Sequence, residues 1–226
     1  YTTEVVEAVL ERFLIGHHPC EVLIDTTTGQ PGRTAALGRR LVEHGVQYLD
    51  APISGSSQQL RDGEATVMVG GDAAAFASCA DLWPVLGRNV FHVGPCGSAA
   101  RMKLISNLVL GLNRLALAEG LAFAEALAVP PAAALEIMAG SNAYSRAMDV
   151  KGKKMVERDY SVQARLSQHL KDVHLILAEA AQTGLELPLT QTHRRLLERA
   201  ESAGLGDLDN SAVLEVLRKP SLPANP

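Results

Sequence analysis

The sequence predicts an α/β unit followed by an all-α unit, and three observations carry that reading. Short strand-like runs alternate with helix-period stretches from Thr3 to Val93. No further strand-like run follows Ser98. Between the two regimes lies Ser98–Ala128, a continuous helical stretch that is apolar nearly all round.

In chain order, Val5, Val6, Val9, Leu10 and Phe13 repeat at helical spacing within Thr3–Leu14, and Glu21–Asp25 (EVLID) reads as a short strand. Thr34–His44 is helical, with Leu37, Leu41 and Val42 on one side, and Val46–Ala51 is a second strand. Strands separated by helices of this length imply βαβ units and a parallel sheet. Ala65–Val69 alternates, Gly70–Gly71 turns, Asp72 offers a helix N-cap, and Asn89–Val93 is a last short strand. Ser98–Ala128 then makes a helix of roughly 45 Å at the usual rise. Helices follow over Ala132–Ala139, Val162–Thr183, Thr190–Ala203 and Ser211–Arg218. Gly184 and Pro188 stop the second of these, and Asp209 and Ser211 offer caps for the last. The expected organisation is residues 1–96, residues 97–219 and a loose tail over 220–226.

Composition narrows the function classes. The 226 residues, 47% of them hydrophobic, suffice for one large core or two small ones. A net charge of −4 gives no footing for nucleic acid or an anionic membrane. Cys20, Cys79 and Cys96 are far apart and form no CxxC pair, so the expectation is a reducing cytoplasm without a disulfide or metal framework. No signal peptide is read before the amphipathic start. The most apolar stretch, Leu104–Leu127, is interrupted by Asn107, Asn113, Arg114, Glu119 and Glu125, and reads as a buried helix rather than a membrane span.

Two candidate strands run into small polar loops, Asp25-Thr26-Thr27-Thr28 and Asp50-Ala51-Pro52-Ile53-Ser54-Gly55. Ligands of open α/β sheets sit outside the carboxyl ends of strands, so these loops are the default site, although each hydroxyl would equally serve as a helix cap. Ser54 beside Gly55 offers a carboxylate one side-chain donor and exposed backbone N–H groups. Lys103 and Asn107 are four apart and share a helix face. Alone, a lysine there would run its stem along the helix and its ammonium to solvent; a partly buried one trades protons near neutral pH. Lys171-Asp172 alone would be a surface charge pair. His169 and His174 are poorly spaced for one metal, and nothing else supplies a metal site.

Taken together and in order, these segments resemble the β-hydroxyacid dehydrogenases. A D-x-S-T-x-x-P-like segment reads Asp25-Thr26-Thr27-Thr28-Gly29-Gln30-Pro31, and a substrate motif reads Asp50-Ala51-Pro52-Ile53-Ser54-Gly55-Ser56. A G-x-x-x-x-x-K-x-x-x-N motif runs from Gly97 through Lys103 to Asn107, followed by Lys171-Asp172 and the ending Asp209-Asn210-Ser211-Ala212-Val213. The match covers nearly the whole chain. It implies the latter part of a Rossmann-type domain, a helical domain joined to it by the long helix, and NAD or NADP as cofactor. The implied reaction passes a hydride between nicotinamide and a small 3-hydroxy acid or aldehyde acid.

By that resemblance Lys103 is the proton donor and acceptor, and Asn107 holds Lys103 or the substrate oxygen. Ser54 and Gly55 anchor the substrate carboxylate, Ser56 belongs to the same substrate-binding motif, and Thr28, Lys171 and Asp172 belong to the cofactor side. Members open with a strand and G-x-G-x-x-G, which these 226 residues do not contain, so residues 1–226 alone are expected to be inactive and to bind the cofactor poorly. Relatives often carry a phenylalanine seven residues before the K-D lysine, where this chain has Ala164. Two rivals are an imine-reductase-like enzyme and a non-catalytic assembly module, and Lys103 argues against both. The apolar long helix predicts a homo-oligomer, a dimer or a tetramer.

Overall fold

The computed structural model describes residues 2–15 and 20–218, without the side chains of residues 13–15. Phe13 and the expected tail over 220–226 lie outside the described side chains and residues. The chain divides into two compact units between Ser106 and Asn107. That division falls inside the long helix, ten residues beyond the boundary placed after residue 96 from sequence.

The first unit is a five-stranded sheet with helices. Its elements are α1 (Thr3–Ile15), β1 (Val22–Asp25), α2 (Pro31–Glu43), β2 (Gln47–Asp50), β3 (Ile53–Ser54), α3 (Ser57–Arg61), β4 (Thr66–Gly70), α4 (Ala73–Ser78), α5 (Trp83–Leu86) and β5 (Asn89–Gly94). Pro31 opens α2, where its fixed φ suits the first turn and its missing N–H costs nothing. Asp72 caps α4 by accepting from Ala74 and Ala75 N–H, both at 2.9 Å. The strand order is β1-β2-β4-β3, with β5 on β4. Adjacent residues of β2 point to opposite faces: Tyr48 packs with Leu10, Leu37 and Leu41, and Leu49 with Val67, Val69 and Trp83.

The sheet is mixed where the sequence predicted a parallel one. β1–β2 and β4–β5 are parallel, each across a helical connection, whereas β4 runs antiparallel to β2 and β3. The stretch from β2 to β4 contains only the two-residue β3 and the five-residue α3. A parallel return needs a longer crossover, so the chain folds back on itself instead.

The helix α6 (Ser98–Ala126) starts in the first unit and continues through the second. It is long and apolar enough to cross a membrane by length and composition alone. Its Leu115, Leu117, Ala118 and Leu121 are nevertheless buried in the core of the helical unit. The expected all-round burial does not occur: Val109, Leu110 and Phe123 are exposed, while the polar Lys103, Asn107 and Arg114 are buried.

The second unit adds α7 (Pro131–Ala139), a π-helical turn at Met148–Gly152, α8 (Lys153–Glu157), α9 (Leu166–Thr183), α10 (Pro188–Ala200), a second π-helical turn at Glu201–Leu205 and a 3-10 segment, Asn210–Val216. Leu121, Met155, Leu166, Val173, Leu197, Val213 and Leu214 form its core. The helix α9 begins four residues later than expected. Gln163 and Ala164 instead give their N–H groups to Asp209, at 3.0 and 3.1 Å, and Arg165 bridges to Asp209. Gly184, at φ +73°, ends α9 with a left-handed turn. The helical turns over 148–157 have no counterpart in the sequence reading. Lys151, Gly152, Lys153 and Lys154 look like a solvated run, yet Lys151, Gly152 and Lys154 are buried.

Candidate active site

The candidate residues fall into two groups, one in each unit. In the first, the turn after β1 is built on Asp25. Its carboxylate accepts from Thr27 N–H at 2.8 Å and from the Tyr48 hydroxyl at 2.6 Å. Burial and the neighbouring Asp25 push the Tyr48 phenol above its ordinary pKa. Thr28 follows at the carboxyl end of β1, half-buried.

Asp50, at the end of β2, is 2% exposed and holds the start of α6. Its two oxygens accept from Gly97 N–H at 2.8 Å and Ala100 N–H at 2.9 Å. A carboxylate at a helix N-terminus is favoured both by the unpaired N–H groups and by the helix dipole. Burial pushes the Asp50 pKa upward, against the pull of those two bonds. Gly70 makes room for this arrangement, because a Cβ there would lie 2.4 Å from Asp50 Oδ1.

With its first turn fixed, α6 directs Lys103 back onto the loop after β2. The side chain is buried at 7% exposure, and its Nζ donates to the Ile53 carbonyl at 2.8 Å. Ile53 and Ser54 form β3, pairing with Val67 and Thr66. The structure thus brings Lys103 to the strand that carries Ser54, with Gly55 next to it. A side chain at Gly55, φ +154°, would press on Ala65 at 3.3 Å. Ser56 is used differently. Its hydroxyl accepts from Gln59 N–H at 3.2 Å and its N–H donates to the Gln59 side chain, a reciprocal cap on α3.

In the helical unit Asn107 donates to Asp172 Oδ2 at 2.9 Å, and both side chains are buried. Lys171 Nζ lies 3.5 Å from Asp172 Oδ1, with about a quarter of the Lys171 side chain exposed (27%). Asn107, Lys171 and Asp172 therefore form one cluster, in which one N–H of the Asn107 amide is given to Asp172. The sequence reading passed over two buried residues further along the same face of α6. Gly111 and Arg114 continue the spacing of Lys103 and Asn107 by steps of four and three, a stripe that helical periodicity makes readable. Among the described residues, no three His, Cys, Asp or Glu are grouped to hold a metal ion.

Comparison with known proteins bears on both units. Residues 2–94 match the model of the NAD binding domain of 6-phosphogluconate dehydrogenase. Residues 97–217 match the model described as NAD-binding of NADP-dependent 3-hydroxyisobutyrate dehydrogenase. The 2-hydroxy-3-oxopropionate reductase of Escherichia coli (strain K12) is 32% identical over 215 residues, which is 92% of this chain and 74% of that protein. The L-threonate dehydrogenase of Cupriavidus necator is 30% identical over 206 residues, 91% of this chain and 69% of that one. A crystal structure of 3-hydroxyisobutyrate dehydrogenase from Salmonella typhimurium superposes with a TM-score of 0.88 at 25% identity, covering 95% of this chain and 76% of its own. Matches of this breadth, in sequence and in fold, assign the chain: it belongs to the β-hydroxyacid dehydrogenases, NAD(P)-dependent oxidoreductases of small hydroxy acids.

Proposed function

We propose that this chain carries the proton-transfer and substrate-binding residues of an NAD(P)-dependent dehydrogenase or reductase of small 3-hydroxy acids and their aldehyde acids. The observation that carries the reading is the position of Lys103, buried and held 2.8 Å from the Ile53 carbonyl beside Ser54. An ammonium carries three N–H donors, which suits it to pass a proton to a substrate oxygen while it is anchored at a carbonyl. In reduction Lys103 gives its proton to the nascent alkoxide, and in oxidation it takes the proton from the hydroxyl. The Ser54 hydroxyl and the backbone at Gly55 receive the substrate carboxylate, and Ser56 holds the end of that loop through its cap on α3.

For the nicotinamide end of the cofactor, which gives the hydride in reduction and takes it in oxidation, this reading assigns residues in each unit. Thr28 is half-buried beyond β1, and Lys171, its side chain about a quarter exposed (27%), pairs with Asp172. Asn107 in turn fixes Asp172. Neither the pyrophosphate-binding G-x-G-x-x-G nor the acidic or basic residue that follows it and reads the ribose is found in the 226 residues, so they carry no preference between NAD and NADP.

The same reading makes the protein cytoplasmic, without a membrane or nucleic-acid partner, and a homo-oligomer, dimer or tetramer. Val109, Leu110, Phe123 and Ile137 of the helical unit are exposed apolar residues that a subunit contact would cover. A panel of three- to five-carbon aldehyde acids, assayed by NADH and NADPH oxidation with the full-length gene product, tests the substrate class. Turnover is expected with the aldehyde acids and is lost with the matching aldehydes that lack the carboxylate. Equal turnover of both sets would refute the assignment of Ser54 and Gly55.

A further inference from the structure

Tyr48 of β2 lies in an apolar cluster with Leu10, Leu37 and Leu41 and is 3% exposed. A phenylalanine would fill that space as well, and a hydroxyl buried there is costly unless it is bonded. The hydroxyl crosses from β2 to the end of β1, where it donates to Asp25 Oδ2 at 2.6 Å. A hydroxyl–carboxylate bond is roughly twice as strong as one between neutral groups. Burial and the Asp25 charge hold the phenol pKa above its ordinary value, so Tyr48 remains a donor at neutral pH.

The other oxygen of Asp25 makes the turn that follows β1. Thr27 N–H donates to Oδ1 at 2.8 Å, a side-chain turn of two residues. Alone, such a turn leaves the carboxylate plane loosely set, because the last torsion of an aspartate is broad. The bond from Tyr48 to the second oxygen fixes that plane. The Asp25 backbone is fixed as well, since its carbonyl accepts from Ala51 N–H at 2.7 Å.

The far end of the same loop is tied to α1. Gln30 N–H donates to Thr3 Oγ1 at 2.9 Å, and Thr3 is 6% exposed. Thr28 therefore lies between two anchors, Asp25 with Tyr48 on one side and Gln30 with Thr3 on the other. Asp50, the register partner of Asp25 on β2, holds a different element through Gly97 and Ala100.

We propose that Tyr48 is a positioning residue for cofactor binding: through Asp25 it sets the turn that presents Thr28 to NAD or NADP. The inference rests on the assignment of Thr28 to the cofactor side. It leaves proton transfer alone, because Lys103 is held at Ile53 in another loop.

The test compares Tyr48→Phe, Thr28→Ala and the double variant in the full-length protein, by fluorescence titration with NADH or NADPH and by steady-state kinetics. Tyr48→Phe removes only the hydroxyl and should raise the cofactor Kd about tenfold. At saturating cofactor, kcat and the KM for the aldehyde acid should stay within about twofold, the pattern of lost binding rather than lost chemistry. Thr28→Ala should also raise Kd, and on that background Tyr48→Phe should add less than about twofold, because both act through one turn. If Tyr48→Phe is too unstable to assay, Asp25→Asn keeps an oxygen for Thr27, removes the charge that Tyr48 binds, and should show the same pattern.

An unchanged Kd in Tyr48→Phe with a raised Kd in Thr28→Ala would overturn the proposal and leave the assignment of Thr28 standing. An unchanged Kd in Thr28→Ala would remove that assignment and the proposal with it. Full additivity in the double variant, or a lower Tm in Tyr48→Phe with the Kd of wild type, would reduce Tyr48 to a core residue and equally overturn it.

Discussion

Gly111 brings the backbone of α6 directly against the imidazole of His169. A Cβ at Gly111 would lie 2.6 Å from His169 Nε2 and 2.7 Å from His193 Cε1. Those two rings in turn pack on each other at a centroid distance of 5.2 Å. Alanine is the better helix former by about 1 kcal/mol, so propensity alone would make Gly111→Ala stabilising. The packing predicts the opposite sign, a net loss of about 1–3 kcal/mol by urea unfolding, because the rings have to move. A neutral or stabilised variant would show that α6 and α9 are not in such close contact.

One turn earlier on α6, Asn107 supplies a hydrogen bond to the buried Asp172. Removing it in Asn107→Ala should cost about 2 kcal/mol, as for a bond to a charged group. Asn107→Asp should cost more, since two carboxylates at that separation resist ionising together. The order Ala milder than Asp, read from denaturation midpoints, checks the geometry. The reverse order would contradict it.

Asp50 satisfies two buried N–H groups at the start of α6. Asp50→Ala leaves both without that acceptor and should lower stability by about 2 kcal/mol or more. Asp50→Asn keeps one acceptor oxygen and should fall between. Equal stability of Asp50→Ala and wild type would remove Asp50 from its capping role.

His193 gives a pH dependence with a definite sign. Burial, with Arg114 nearby, lowers its folded pKa to about 4, below the unfolded value of 6.5. The unfolded chain then binds the proton more readily between those values, so stability is full above pH 6.5 and falls as pH drops toward 4. The loss amounts to about 3 kcal/mol. His169 and Arg114 face the same ring and stay in place in His193→Leu, which should show a shallower decline over that window in thermal melts at graded pH. An unchanged slope would mean that His193 is not buried as described.

Much of the fold was legible in the sequence because caps and breakers act locally. Asp72 begins a helix and Gly184 ends one where their own chemistry requires it, while Pro188, read as a stop, opens α10 instead. The antiparallel course of β4 was not legible, since it depends on how little chain connects β2 to β4 rather than on any alternation of residues. The late start of α9 and the turns over 148–157 were hidden for a related reason. Both are organised by Asp209 and Lys151, which meet across 58 residues and which periodicity cannot pair. In the candidate site the motifs located Lys103 and Ser54, but the part Asp50 plays in aiming α6 emerges only from its bonds to Gly97 and Ala100.

The central claim is that Lys103 transfers the proton, and kinetics of Lys103→Ala in the full-length protein test it most directly. Turnover should fall by roughly 10²–10⁴, the usual worth of a positioned acid–base group. The Kd for NADH or NADPH, followed by fluorescence titration, should change little, because Lys103 is held at Ile53 and is assigned to the substrate oxygen. Turnover within a few-fold of wild type would contradict the account, and so would a loss explained entirely by weaker cofactor binding.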